Sequence, residues 1–337
     1  MTAYASRLKS DMQVFRSLEE VPASLGPTVA AIGNFDGVHR GHQAIIADVR
    51  TRATALGAAS IAITFDPHPI RVLRPEAAPR LITPLPQRLD LLAATGLDAV
   101  LVLPFTRDFS QTPAREFAER ILARGLHVVE VHEGDSFRFG RGAEAGTPEL
   151  VEFGREMGFA VYGHRVLTVR GVPVSSSEVR RRITAGEMNM ARALLGRAFS
   201  IRSTQERGRG IGSRLLVPTI NLAAYDELVP ANGVYITCVQ IGSGEAARSF
   251  PAVTNCGVRP TFGIERFAIE SHLLEWKPET DPIEIAPETP IEVCFLKRLR
   301  EERAFPSPEV LKEQIMRDVA QARRYYRLAE QLCGSRA

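Results

Sequence analysis

The sequence of 337 residues is poor in cysteine and has no long hydrophobic run. Its four cysteines lie far apart in the C-terminal half without any Cys-x-x-Cys pair, so neither a zinc ribbon nor a disulfide framework is indicated. We expect them to be reduced and mostly buried. No stretch reaches the roughly eighteen apolar residues of a membrane-spanning helix, and the N-terminal segment lacks the apolar core of a signal peptide.

An excess of charge of one sign is also missing. Lysine and arginine number 42 against 39 aspartates and glutamates, which leaves a net charge of +3 and no basic block. Neither a nucleic-acid partner nor a membrane partner is therefore expected. With 45% hydrophobic and 24% charged residues the chain can bury a full core. These features predict a cytoplasmic globular protein and leave weak self-assembly open.

The first half of the chain alternates short apolar runs with helical patterns. Strands are predicted at 29–32, 61–65, 99–103 and 128–131, and helices at 41–56, 86–94, 113–123 and 148–157. Such alternation is typical of an α/β fold with a doubly wound parallel sheet covered by helices. Ligands of these sheets bind beyond the C-terminal ends of the strands.

After about residue 197 the pattern changes to short alternating strands. They are predicted at 199–203, 234–241, 250–255, 267–274 and 291–296. A helical pattern at 308–332 follows, and its predicted apolar face consists of Val310, Leu311, Ile315, Met316 and Val319. Antiparallel strands with one covering helix predict a small β-barrel. We therefore expect one domain at 12–196 and a second at 197–337.

One segment, GNFDGVHRGH at 33–42, joins the first predicted strand to the first helix. Its glycines let the backbone turn tightly and approach a ligand, and the helix start offers free N–H groups to an anion. His39 and His42 lie three residues apart there, so both imidazoles can face bound phosphates. Two such donors would stabilise the charge that develops in nucleotidyl transfer. A purely structural role for the histidines is the alternative. The segment matches neither the P-loop nor the dinucleotide-binding glycine pattern.

This segment resembles the phosphate-binding signature of the HxGH nucleotidyltransferase superfamily, in the form found in bacterial bifunctional riboflavin kinase/FAD synthetases. Three further segments resemble motifs of that family in the same order: TFDPHP at 64–69, GDSFRFG at 134–140 and VSSSEVR at 174–180. The resemblance covers nearly all residues after Gln13. It implies an FMN adenylyltransferase domain followed by a riboflavin kinase barrel.

In the N-terminal domain the resemblance implies catalytic and ligand-binding residues. His39 and His42 are the expected catalytic residues, and Asp36 is expected to help bind the nucleotide or its magnesium ion. The expected ATP-binding residues are Gly33, Phe35, Asp36, Gly37, Gly41, Ser175, Ser176, Ser177 and Arg180. The expected FMN-binding residues are Phe65, His68, Pro69 and Phe137. Taken alone, the serines could equally be a helix N-cap, and the aromatic and proline residues could be plain core.

In the C-terminal half, a flexible loop with alternating glycines could cover bound phosphates. Thr219 and Asn221 lie two apart in a strand-like segment, so both oxygens face one side and suit Mg²⁺. The resemblance implies that the kinase binds ATP through Gly208, Gly210, Gly212, Pro218, Thr219 and Asn221, the last two as metal ligands. It also implies a flap loop with Asn255, Gly257, Arg259, Pro260 and Thr261. Glu270 is implied as the base that takes the proton of the riboflavin hydroxyl; a solvated strand residue is the alternative.

The resemblance implies a two-step enzyme that uses Mg²⁺ and the substrates ATP, riboflavin and FMN. Riboflavin and ATP would give FMN and ADP, and FMN and ATP would then give FAD and pyrophosphate. Leu216 stands where glycine is usual, and a Tyr-Gly pair is missing from 281–290. These departures favour an alternative, an FMN adenylyltransferase whose barrel binds flavin but phosphorylates poorly. A flavin sensor without catalysis would have lost His39, His42 or Glu270, and all three are present.

Overall fold

The computed structural model describes residues 12–135, 137–206, 219–261, 264–276 and 285–334. The predicted kinase residues Gly208, Gly210, Gly212 and Pro218 lie outside these ranges. The described residues form two compact units that meet in the chain between Ser176 and Ser177. The domain boundary predicted at 196–197 lies further along the chain and stays a prediction.

The first unit contains a six-stranded sheet in which every neighbouring pair is parallel. Its strands are β1 Gln13–Phe15, β2 Thr28–Ile32, β3 Ala59–Asp66, β4 Ala99–Pro104, β5 Val128–Gly134 and β6 Ala160–His164. They lie in the order β1-β4-β3-β2-β5-β6, and the short strands β7 Thr168–Val169 and β8 Val172–Pro173 form a separate antiparallel pair. All of β2 is buried, as expected for a central strand covered on both faces. The predicted parallel sheet is confirmed.

Helices cover both faces of this sheet. They are α1 Arg40–Leu56, α2 Pro69–Leu73, α3 Leu85–Ala93, α4 Ala114–Phe117 and α5 Thr147–Met157. The helix predicted at 113–123 is α-helical only in α4 and continues as a π-helix over Ala118–Gly125. One apolar core contains Ile61, Leu101 and Leu122, and the other contains Ile46 and Val100. Residues that alternate along β3 and β4 therefore enter opposite cores, which confirms the doubly wound architecture.

The strand order places a switch point beside β2. This strand pairs with β3 on one side and with β5 on the other. The connections that leave the C-terminal ends of β2 and β5 therefore diverge and open a crevice between them, where ligands of such sheets bind. The 33–42 segment follows β2, and the 134–140 segment follows β5, so both predicted motifs reach this crevice.

The second unit contains a six-stranded antiparallel sheet in the order β10-β13-β12-β11-β14-β9. Its elements are α6 Ser176–Thr184, α7 Met188–Leu195, β9 Phe199–Ser203, β10 Thr219–Asn221, β11 Gly233–Ile241, β12 Arg248–Thr261, β13 Ile264–Leu273, β14 Ile291–Arg300 and α8 Pro308–Gly334. An isolated bridge between Gln205 and Leu222 links the two edge strands, and the N–H of Ala223 donates to Thr204 O at 2.9 Å. The predicted barrel with a following helix is confirmed.

Helix α8 packs on one face of this sheet through its second half. Val319, Ala322 and Tyr326 are buried against residues of the sheet such as Val234 and Ile236. The face predicted from the sequence is wrong in its first part, since Val310, Ile315 and Met316 are exposed by 41%, 37% and 60%. Periodicity identifies residues that share a helix face, but it does not tell where along the helix the sheet lies. Among the described helices, none is long and apolar enough to span a membrane.

Candidate active sites

A cavity of about 1170 Å³ lies at the C-terminal ends of β2, β3, β5 and β6. It brings together residues from four sequence motifs that are far apart in the chain. Predicted site residues that line it are Gly33, Phe35, His39, Gly41, His42, Phe65, Pro69, Phe137, Ser175 and Ser176. Parallel strands that end at the same edge produce this convergence.

His39 is the N-cap of α1, and its imidazole is fixed by the helix that it caps. Its Nδ1 accepts the backbone N–H of His42 at 3.3 Å. An accepting Nδ1 carries no proton, so the proton of the ring lies on Nε2. His39 therefore offers an N–H donor beside the free N–H groups of a helix start, a combination that favours an anion.

His42 stacks on His39, with ring centroids 3.6 Å apart and an interplanar angle of 14°. Burial, together with the proximity of His39 and Arg88, holds the pKa of the His42 imidazole well below its usual range. Its Nδ1 is buried and has no hydrogen-bond partner within the part of the chain that the structure describes. At neutral pH this ring is therefore an uncharged imidazole whose hydrogen-bonding capacity is not used up by the fold.

Gly41 makes the close approach of these rings possible. A Cβ at this position would lie 3.2 Å from both Cε1 and Nδ1 of His39. The preceding turn is itself strained, because Phe35 and Val38 adopt φ angles of 49° and 38°, which residues with side chains rarely do. Such strain is concentrated at functional sites, where surrounding contacts hold it in place.

Asp36 holds the strained turn instead of facing the cavity. Its carboxylate is 1% exposed and accepts the backbone N–H groups of Ile82 at 3.1 Å and Thr83 at 2.9 Å. Gly37 also serves the turn, since its N–H donates to the Thr83 hydroxyl at 2.8 Å. The structure therefore does not bring the predicted nucleotide or magnesium ligand Asp36 to the cavity wall. A buried carboxylate that accepts backbone N–H groups is satisfied within the fold.

Phenylalanines form one wall of the cavity. The predicted Phe65 lies 5.8 Å from Phe105, and the predicted Phe137 stacks on Phe139 at 5.2 Å between ring centroids. Phe105, Phe109, Phe117 and Phe139 also line the cavity and were missed from the sequence. A signal for Phe105 was available, because this residue directly follows the C-terminal end of β4. The wall suits a flat aromatic ligand.

Two predicted FMN-binding residues from one motif have different positions. Pro69 is the first residue of α2 and lines the cavity. His68 is buried with 6% exposure, and its Nδ1 accepts the N–H of Ile70 at 3.3 Å as the N-cap of α2. The structure therefore gives His68 a capping role and does not bring it to the cavity wall.

The predicted serine–arginine motif crosses the division between the two units. Ser175 and Ser176 line the cavity, and the Ser176 hydroxyl donates to Asp36 O at 2.9 Å. Ser177 and Arg180 follow in α6 beyond the division. Their contact with ATP stays a prediction.

In the second unit, the predicted kinase residues form a row across three adjacent strands. Glu270 of β13 pairs directly with Asn221 of β10 on one side and with Asn255 of β12 on the other. Directly paired residues of antiparallel strands place their side chains on the same face, about 5 Å apart. Thr219, two residues before Asn221, shares this face. The residues between them, such as the fully buried Ser271, lie on the opposite face of the sheet.

The predicted flap loop is not a loop over its described residues. Asn255, Gly257, Arg259, Pro260 and Thr261 belong to β12 and continue its pairing with β13 up to Thr261 and Ile264. Strand pairing therefore runs through the residues where the sequence suggested a loop. A Cβ on Gly257 would overlap the carboxylate of Glu302, so that exposed side chain would have to move aside.

Comparisons with known proteins cover both halves of the chain. The FAD synthetase family matches residues 21–178, and the riboflavin kinase family matches residues 195–326. The bifunctional riboflavin kinase/FMN adenylyltransferase of Pseudomonas fluorescens is 37% identical over 93% of this chain and 97% of its own length. The enzyme of the same description from Escherichia coli K12 is 33% identical over 90% of this chain and 94% of its own length.

A solved structure shares the fold at low sequence identity. It is described as a macrolide-efflux protein from Streptococcus pneumoniae, with a TM-score of 0.81, 23% identity and coverage of 93% of this chain and 98% of that chain. This likeness supports the architecture alone. The two family matches and the relatives, which span nearly the whole chain, show that it belongs to the bifunctional riboflavin kinase/FMN adenylyltransferases, which make FMN and FAD.

Proposed function

We propose that the cavity of the first unit binds ATP and FMN side by side, and that His39 and His42 act on the triphosphate. The observation that carries this proposal is the stacked imidazole pair at the start of α1. The phenylalanine wall, which ends at Phe65 and Phe137, would hold the isoalloxazine ring of FMN.

In this proposal the FMN phosphate oxygen attacks the α-phosphorus of ATP. The bond from the α-phosphorus to the bridging oxygen breaks, and pyrophosphate leaves with the bonding electrons. Negative charge grows on the phosphate oxygens, where the Nε2–H of His39, the neutral ring of His42 and the free N–H groups of α1 would stabilise it. No covalent enzyme intermediate is required.

The kinase step is proposed for the row on the second unit's sheet. Glu270 would take the proton of the riboflavin hydroxyl as its oxygen attacks the γ-phosphorus of ATP and ADP leaves. Thr219 and Asn221 fit a magnesium ion, because they offer neutral oxygens on one face beside a carboxylate, and Mg²⁺ prefers such ligands together with phosphates. The ion would neutralise charge on the phosphates.

One assay tests both assignments. The purified chain is given riboflavin, ATP and Mg²⁺, and FMN and FAD are followed by chromatography. His42→Ala is expected to accumulate FMN, with FAD formation about 10²–10³-fold slower. Glu270→Gln is expected to form FAD only from supplied FMN. Equal loss of both steps, FMN formation from riboflavin and FAD formation from supplied FMN, in either variant would contradict two separate sites. The cytoplasmic location, weak self-assembly and the 12–196 and 197–337 domain division stay predictions.

A further inference from the structure

Arg88 of α3 is a charged side chain that has no role in either proposed reaction step. It is 0% exposed and is among the largest fully buried side chains in the described chain. Burial of a guanidinium is costly unless its donors and its charge are compensated. A buried cation is therefore expected to hold partner groups in place.

Its guanidinium joins the ends of two neighbouring strands. Nη1 donates to Asn34 O at 2.7 Å, and Nη2 donates to Phe65 O at 3.3 Å. Asn34 belongs to the phosphate-binding turn after β2, whereas Phe65 belongs to the aromatic wall at the end of β3. Because the guanidinium is a rigid planar fork, these two bonds fix the spacing between the proposed triphosphate site and the proposed flavin site.

The charge of Arg88 also reaches the imidazole pair. Its proximity, after burial and the influence of His39, lowers the pKa of His42. The carboxylates of Asp36 and Asp66 in turn favour the charged form of Arg88 against its own desolvation, and Asp66 lies 3.8 Å from it. The two carboxylates thus favour the charged form of Arg88, and this charge in turn favours the uncharged form of the His42 ring.

We propose that Arg88 is a positioning residue for FMN adenylyl transfer, which aligns the phosphate-binding turn with the aromatic wall and holds a fixed positive charge near His42. The proposal rests on the site proposed above. It assigns to α3 a role that neither ligand-binding motif carries: the helix sets the distance over which the FMN phosphate must reach the α-phosphorus.

Two substitutions separate alignment from charge. Arg88→Lys keeps a cation, but a single ammonium group cannot span both carbonyl oxygens in the geometry of the fork. Arg88→Met removes the donors and the charge together. The matched control is Arg120→Met, because the Arg120 side chain is 63% exposed and pairs only with Glu116 among the described ion pairs. The riboflavin kinase activity of the same chain serves as an internal control in every variant.

Both Arg88 variants are expected to lose about 10²-fold in kcat of adenylyl transfer, the scale of a displacement of about 1 Å, while the kinase activity and Arg120→Met remain at the wild-type level. Histidine-labelled protein, with His42 assigned through His42→Gln, is titrated by NMR without substrates. The His42 midpoint is expected to rise in Arg88→Met and to stay at the wild-type value in Arg88→Lys. A loss of stability alone would not produce this contrast.

A wild-type kcat in Arg88→Lys, or an unchanged His42 midpoint in a folded Arg88→Met, overturns the proposal. Near-UV circular dichroism and thermal unfolding establish that each variant is folded. If Arg88→Met does not fold, Arg88→Lys alone tests the proposal. A lower kcat together with a wild-type titration of His42 in this variant would result only from lost alignment. If His42→Ala keeps full adenylyl transfer, the proposed catalytic site itself fails, whatever the Arg88 variants show.

Discussion

Replacement of Gly41 by alanine is expected to separate stability from activity. Gly41 lies in the first turn of α1 with an ordinary backbone conformation, so alanine fits the helix and would stabilise it by about 0.5–1 kcal/mol. Against this gain, the new methyl group would lie 3.2 Å from two atoms of the His39 ring. The ring must give by a few tenths of an ångström.

The His39 ring has little room to move. It stacks on His42 at 3.6 Å, and its Nδ1 accepts a helix N–H at 3.3 Å. The substitution therefore displaces the imidazole pair relative to the phosphate site. We expect the free energy of unfolding to change by less than about 1 kcal/mol. The kcat of FMN adenylyl transfer is expected to fall by about 3- to 10-fold, because a displacement of about 1 Å costs about 10²-fold and this one is a few tenths of an ångström.

The assay compares Gly41→Ala with Gly163→Ala. Gly163 lies in the same unit, and its Cβ would make only an ordinary contact of 3.8 Å with Thr147. Urea unfolding gives the stability of each variant, and steady-state FAD formation from supplied FMN gives the rate. Wild-type FAD formation by Gly41→Ala, or an equal loss in Gly163→Ala, would refute the reasoning about the imidazole pair.

Three further substitutions test other parts of the structure. Asp36→Asn is expected to lower the free energy of unfolding by about 1–3 kcal/mol, measured with urea, because one of the two backbone N–H groups that its carboxylate accepts loses its partner; full stability would contradict this role. Gly257→Ala is expected to leave FMN and FAD formation near the wild-type rates, because the exposed, flexible Glu302 side chain can move away from the new methyl group; a loss of FMN production would contradict this. Burial raises the pKa of the Glu133 carboxyl to about 7, against 4.5 for an unperturbed glutamate. The folded state therefore binds the proton more tightly, and the wild type loses stability as the pH rises through this window. Between pH 5 and pH 8 the free energy of unfolding of Glu133→Gln, measured with urea, should rise relative to that of the wild type. A difference between the two that does not change with pH would exclude the buried carboxyl as the cause.

The central strands of the first unit could be predicted because their signal is local. A buried strand such as β2 is a short apolar run, and a histidine motif directly after it lies at the ligand-binding edge of the sheet. The strand β6 Ala160–His164 was missed for a physical reason. It is an edge strand with exposed or half-buried residues, and its apolar run at 159–162 is short and ends at Gly163, so the sequence signal for a buried strand is weak.

The roles of individual side chains depended on contacts that the sequence does not contain. Asp36 stands three residues before His39, and only the backbone of the folded turn directs its carboxylate toward Ile82 and Thr83 instead of the cavity. Arg88 lies in a helix that carries no ligand-binding motif, and its function follows only from the position of two carbonyl oxygens in other elements. Sequence patterns indicate which residues converge, whereas burial decides which of them face the ligand.

The most direct test of the imidazole pair is a crystal structure of the protein with FMN and a non-hydrolysable ATP analogue. The account predicts the triphosphate at the start of α1, with Nε2 of His39 and the ring of His42 within hydrogen-bond distance of phosphate oxygens. A nucleotide bound away from residues 33–42, or a triphosphate that neither ring contacts, would contradict it.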